Sequence, residues 1–313
     1  MFLNKNKYFH LGGFILALLS FSSQAAFKPL VQFGDNPGDL TASYYQPANS
    51  NAIVVLLHGC LQNAENLAKQ SDFLALAKLH RFTLLLPQQS QQNNVKSCFN
   101  WFSKQDTSRD QGELLSLKNM ITTLQNSSPV SDTYVAGLSA GGAMASALLV
   151  NYPDMFISGA IIAGLPYPCA DNLVKAISCM RNGPSQNAEE LSKLALSLNK
   201  ASTKWPSISI WTGKKDSIVN PKNSSALAKQ WALILQANEQ IHLTATSGYS
   251  KSLWNTPKQV SAVELIEVDN IGHGIMINSQ VENGGTSGDF LLESPLSSIK
   301  NIVSFWQLNT NNP

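Results

Sequence analysis

Short apolar runs recur along this chain of 313 residues, at 53–57, 82–86, 133–136, 156–163, 207–212 and 263–268. The run Ile53-Val54-Val55-Leu56-Leu57 has no polar alternation, as expected of a central strand covered on both faces. The segments between these runs have helical spacing. Residues 64–79 place Leu67, Phe73, Leu74, Ala77 and Leu79 inward, and further helices are predicted at 109–125, 140–152, 224–237 and 296–308. Residues 27–46 read as an N-terminal strand or hairpin broken by Gly34, Pro37 and Gly38, and 88–105 as a polar loop. Residues 164–206 interrupt the alternation with one helical piece near 189–198, and suggest an excursion over the top of a sheet. Residues 241–259 are polar and predict a hairpin or loop carrying Tyr249 and Trp254. Alternating strands and helices imply an α/β fold: a mostly parallel sheet with helices on both faces and loop insertions over a site at the strand carboxyl ends.

One turn stands out. Between the run at 133–136 and the Ala-rich helix after it lies Gly137-Leu138-Ser139-Ala140-Gly141, a G-x-S-x-G pattern. Strand and helix backbones crowd at such an elbow, which explains glycine two positions to either side, and the serine is held in a strained conformation above the sheet edge. The helix that follows aims N–H groups and its positive end at the same point.

Composition narrows the setting. Lys5 and Lys7 precede an apolar stretch at 11–21, and Ser23-Gln24-Ala25 fits a small-x-small cleavage site, so residues 1–25 read as an export signal. That stretch is too short to span a bilayer, and no later stretch spans one either. The signal holds two of the 22 basic residues and none of the 20 acidic ones, so the remaining 26–313 is near neutral. Nothing in that balance points to nucleic acid or an anionic membrane as partner. Cys60, Cys98, Cys169 and Cys179 make an even number in an exported chain, which suggests two disulfides with three connectivities open. No Cys-x-x-Cys or His/Cys cluster has the spacing of a metal site.

A serine hydroxyl attacks well only when a base takes its proton, and that base needs an acid to hold its tautomer. On sheets of this kind the three follow strands in the order serine, acid, histidine. Ser139 follows 133–136, Asp216 follows 207–212 and His273 follows 263–268. The other histidines fit less well: His10 lies in the signal, His80 ends a helix, His242 lies in the polar insertion and His58 comes before the serine. Asp269 and Asp154 compete with Asp216, but Asp269 is only four residues from His273 and Asp154 lies at the wrong strand end. An oxyanion needs fixed donors. The Ala140 N–H is one, and the loop His58-Gly59-Cys60 should supply the other, with His58 as a structural hydrogen-bonding group.

These residues resemble a known family. His58-Gly59-Cys60-Leu61-Gln62, Asn100-Trp101-Phe102, Gly137 through Met144, Ala163-Gly164-Leu165-Pro166-Tyr167, Ser209-Ile210-Trp211, Val219-Asn220-Pro221 and Gly272-His273-Gly274 are similar to the catalytic domain of extracellular poly(3-hydroxybutyrate) depolymerases. The resemblance spans nearly the whole mature chain and is to the subtype whose oxyanion loop precedes the serine. It implies an α/β-hydrolase fold, a serine esterase acting on polyester or its oligomers through an acyl-enzyme, the triad Ser139, Asp216 and His273, an oxyanion donor at Cys60, and no cofactor. The sequence departs from the family pattern in two ways: Thr212 stands where histidine is expected, and the expected linker and substrate-binding domain do not appear before Pro313, which bears on attack on crystalline polymer and not on ester hydrolysis.

Several expectations follow. The protein is a secreted monomer of one catalytic domain. Cys60 pairs with Cys98 because adjacent strand ends bring their loops together, and Cys169 pairs with Cys179 over the site. Trp101, Tyr167 and Trp254 sit on loops at the strand carboxyl ends and form apolar walls for an uncharged substrate. An acetyl xylan or feruloyl esterase, or a hydrolase-fold binding protein without catalysis, are the competing readings.

Overall fold

The computed structural model describes residues 1–2 and 27–308, apart from 129, 131, 201, 203, 246 and 247. The expected export signal lies outside these residues except for its first two. The strands are β1 (Lys28–Pro29), β2 (Thr41–Tyr45), β3 (Ala52–Leu57), β4 (Phe82–Gln88), β5 (Thr133–Leu138), β6 (Ser158–Ile162), β7 (Ser207–Gly213), β8 (Asn238–Ala245), β9 (Tyr249–Thr256), β10 (Gln259–Val268), β11 (Ile275–Ile277) and β12 (Leu291–Glu293). The helices are α1 (Ala64–Gln70), α2 (Phe73–His80), α3 (Lys104–Thr107), α4 (Gly112–Asn126), α5 (Ala140–Asn151), α6 (Leu173–Asn182), α7 (Ala188–Leu198), α8 (Lys222–Leu235) and α9 (Ser298–Phe305).

The first ten strands form one sheet in the order β1-β2-β4-β3-β5-β6-β7-β10-β9-β8. The six from β4 to β10 in that order run parallel, as the alternation predicts, and antiparallel strands flank them. The period of two along each strand sorts its side chains. Ile53, Val55, Leu57 and Val135 face a core built with α4, α5 and α8. Ala52, Val54, Leu56, Tyr134 and Ala136 face a second core built with α1, α2 and α9. Both faces are covered, which is why these strands carry unbroken apolar runs. Register then aligns the functional edge: Leu57 pairs with Gly137, Gly137 with Ile161, and Val268 with Gly213.

Several elements differ from expectation. The helix predicted at 64–79 is two, because Asp72 adopts a left-handed conformation (φ 63°) and its carboxylate accepts from the Gly285 N–H at 2.9 Å. The excursion at 164–206 holds two helices, α6 and α7, where one was expected. Residues 241–259 form most of the hairpin β8–β9, which extends the main sheet beyond β10. Among the described residues no helix is long and apolar enough to cross a membrane.

Candidate active site

The elbow after β5 places Ser139 at φ 57° and ψ −117°, a conformation that costs a non-glycine residue energy. Its N–H bonds Ile162 O at 2.9 Å, and its carbonyl accepts from Ala143 N at 2.9 Å, so the strain is held from both sides. The flanking glycines are sterically required. A Cβ on Gly137 would collide with the Gly141 carbonyl, and one on Gly141 with the Leu57 and His58 carbonyls of the neighbouring strand end. The apolar α5 is buried along its whole length.

Asp216 lies three residues beyond β7, with its side chain wholly buried. Its Oδ1 accepts from the Ile218 and Val219 N–H groups at 2.9 and 2.8 Å, and its Oδ2 lies 2.7 Å from His273 Nδ1. The loops meet because the β7 end and the histidine loop are stitched together: Lys214 N bonds Val268 O and Lys215 N bonds Ile271 O, each at 2.9 Å. With Nδ1–H given to the carboxylate, Nε2 is the ring nitrogen left to accept a proton. Phe290 packs edge-on against the imidazole, with ring centroids 6.1 Å apart. Asp269, the competing acid, instead pairs with Lys214 at 2.8 Å on the surface.

The loop after β3 is equally fixed. His58 is buried, accepts at Nε2 from the Gln89 N–H at 3.1 Å, and so donates from Nδ1 to Gly59 O at 2.7 Å. Burial lowers its pKa to about 4, which keeps it neutral. Gly59 N bonds Gln62 Oε1 at 2.8 Å, Leu61 N bonds Lys96 O at 2.7 Å, and Cys60 is joined to Cys98. Among the described residues neither the Cys60 N–H nor the Ala140 N–H has a hydrogen-bond acceptor.

Ser139, His273, Cys60 and Trp101 line one cleft of about 600 Å³. One wall carries Trp101 and Phe102, stacked edge to face at 5.8 Å. The other is α6, presenting Leu173, Ala176, Ile177 and Met180. That helix is tied down by the Cys169–Cys179 disulfide, by Asn223 Nδ2 on Cys179 O at 2.9 Å, and by Asn220 N on Met180 O at 2.8 Å. Its i, i+3, i+4, i+7 spacing was a legible helical signal that the Pro-rich surroundings obscured. Phe290 and Ile218 also line the cleft and carry no sequence motif.

Two of the three predicted wall residues lie elsewhere. Trp254 is on β9, opposite Val263, and packs into the core with Trp231 and Leu227. Tyr167 is half-buried, and its hydroxyl donates to Thr107 O at 2.7 Å, so it braces α3. Among the described residues no group of three or more His, Cys, Asp or Glu side chains could hold a metal.

The family model described as Esterase PHB depolymerase matches residues 42–250. The chain is 32% identical over 301 residues, 93% of its length, to poly(3-hydroxyalkanoate) depolymerase C of Paucimonas lemoignei, of which the match covers 72%. The chain belongs to the PHB depolymerase esterase family. Esterases of this family are carboxylic-ester hydrolases. The chain is also 25% identical over 264 residues to feruloyl esterase B of Talaromyces stipitatus, covering 80% of this chain and 72% of that one. Among solved structures, acetyl xylan esterase from Aspergillus awamori matches with a TM-score of 0.71 and 21% identity, over 79% of this chain and 94% of that one, a likeness of fold.

Proposed function

We propose that this family member is a secreted serine esterase that cleaves short-chain hydroxyalkanoate polyester or its oligomers. In this reading Ser139 Oγ attacks the ester carbonyl carbon while His273 Nε2 takes its proton, and Asp216 holds the resulting imidazolium. The carbonyl oxygen becomes an oxyanion received by the Cys60 and Ala140 N–H groups. The C–O bond to the alcohol then breaks, and the alcohol leaves with the proton from His273. Water, deprotonated by the same nitrogen, splits the acyl-enzyme to release the acid.

The observation that carries the reading is the buried Asp216–His273 contact at 2.7 Å, opening on the same cleft as a serine on a strained elbow. The apolar walls of that cleft support an uncharged, chain-like ester as substrate. The two disulfides and the leader-like residues 1–25 support export. Purified protein assayed on a hydroxybutyrate trimer and on acetylated xylan tests the substrate. Turnover of the trimer with little release of acetate from xylan is expected, and the reverse would move the protein to the polysaccharide esterases.

A further inference from the structure

Glu113, the second residue of α4, is fully buried and is no part of the triad or the cleft wall. Its Oε1 accepts from Gln89 Nε2 at 2.6 Å, from Asn100 Nδ2 at 2.7 Å and from Asn93 Nδ2 at 3.4 Å. Its Oε2 accepts from the Asn100 N–H at 2.9 Å. None of these donors is a cation, and the charged neighbour on the adjoining helix is Asp106, whose Oδ1 accepts from the Glu113 N–H at 3.3 Å. Burial pushes the carboxyl up to about 8, whereas four N–H donors and a helix N-terminus favour its ionised form. Every side-chain partner of the group is a donor, so both of its oxygens serve as acceptors. A buried group with so many donors is a structural hub.

All three partners belong to the loop that backs the oxyanion strand end. The Gln89 N–H is the donor to His58 Nε2, which orders Gly59 from one side. Asn100 Oδ1 accepts from Asn94 Nδ2 at 2.8 Å, and Asn94 Oδ1 accepts from the Lys96 and Cys98 N–H groups at 3.0 and 3.3 Å. Lys96 O then takes the Leu61 N–H, and Cys98 is bonded to Cys60. Two arms thus leave one carboxylate and converge on the two sides of Cys60.

We propose that Glu113 is a positioning residue that holds the Cys60 N–H in place to receive the oxyanion, an inference that rests on the reading of the site given above. Glu113→Gln keeps the shape but turns one acceptor into an amine facing donors, so the loop must shift.

The test is hydrolysis of p-nitrophenyl acetate by wild type and Glu113→Gln, with kcat expressed per site titrated by an organophosphonate, alongside thermal melting. We expect kcat per site to fall about 10- to 100-fold with KM nearly unchanged, because small misplacements of a transition-state donor act on kcat. Unchanged kcat per site with a lower Tm would make Glu113 a packing residue and overturn the proposal. If Glu113→Gln does not fold, Asn94→Ala cuts one arm nearer the surface and should show the same split, and an unchanged kcat there also overturns it. Wild-type protein that fails to turn over the ester would defeat the reading of the site together with this inference, whereas an active wild type matched by its variant defeats this inference alone.

Discussion

Asp216 turns one carboxylate oxygen to His273 Nδ1 at 2.7 Å and gives the other to two backbone N–H groups of its own loop. The backbone bonds fix the carboxylate's rotation, and so fix the direction in which it can hold the imidazole. Asp216→Asn would present an amide to the same nitrogen and favour the wrong tautomer. A fall in kcat of about 10³-fold or more is expected in ester hydrolysis, with Asp269→Asn close to wild type. If Asp269→Asn is the more damaging change, the acid is misassigned.

Removing the nucleophile should separate chemistry from folding. Ser139→Ala deletes one oxygen from a half-buried position, so the melting temperature should stay near wild type while turnover drops about 10³-fold or more. Gly141→Ala should do the opposite kind of damage. Its new Cβ meets two carbonyls of the β3 end, and overpacking of that sort costs about 1–3 kcal/mol, read as a lower denaturation midpoint. A Gly141→Ala variant as stable as wild type would contradict the packing described for the elbow.

His58 makes a statement about acid stability. Its folded pKa of about 4 lies below the value of 6.5 expected of the unfolded chain, so between these values the unfolded chain binds the extra proton. Its contribution is therefore full above pH 6.5 and is lost as pH falls towards 4, up to about 3 kcal/mol. Urea unfolding at pH 7, 5.5 and 4.5 should show this loss, and a His58→Asn variant should show a shallower one. Parallel curves for the two proteins would rule out His58 as the source.

The Cys60–Cys98 disulfide spans 38 residues and joins the loop after β3 to the loop after β4. Reduction should lower stability by about 2–4 kcal/mol and lower turnover as well. Non-reducing peptide maps with free thiols at these positions would refute the pairing.

Trp101 and Trp254 should behave as opposites. Trp101→Ala, in the cleft wall, should reduce activity on hydroxybutyrate trimers far more than on p-nitrophenyl acetate, which does not need the distal wall. Trp254→Ala, in the core, should cost about 3–5 kcal/mol and show no such preference between substrates. Equal loss of both activities in Trp101→Ala, with an earlier melt, would make it a packing residue too.

The strand–helix alternation and the elbow were legible in the sequence because each depends on neighbours within a few positions, and the order of serine, acid and histidine because each candidate follows its own apolar run. Apolar period, glycine spacing and chain order survive whatever the rest of the molecule does. The choice of Asp216 over Asp269 came from its place after a strand, but its physical ground is tertiary. Asp269 is nearer in sequence, but the stitching of the β7 end to the histidine loop aims Asp216 inward and leaves Asp269 to Lys214 at the surface. Trp254 looked like a wall residue because its segment is polar. It became core when β9 paired with β10 and alternation turned it towards α8. The α6 wall and the Glu113 hub depend on contacts between distant segments, 4 disulfide-bonded cysteines included. A polar residue such as Glu113 reads as surface until the fold surrounds its carboxylate with donors, and only the tertiary structure decides that.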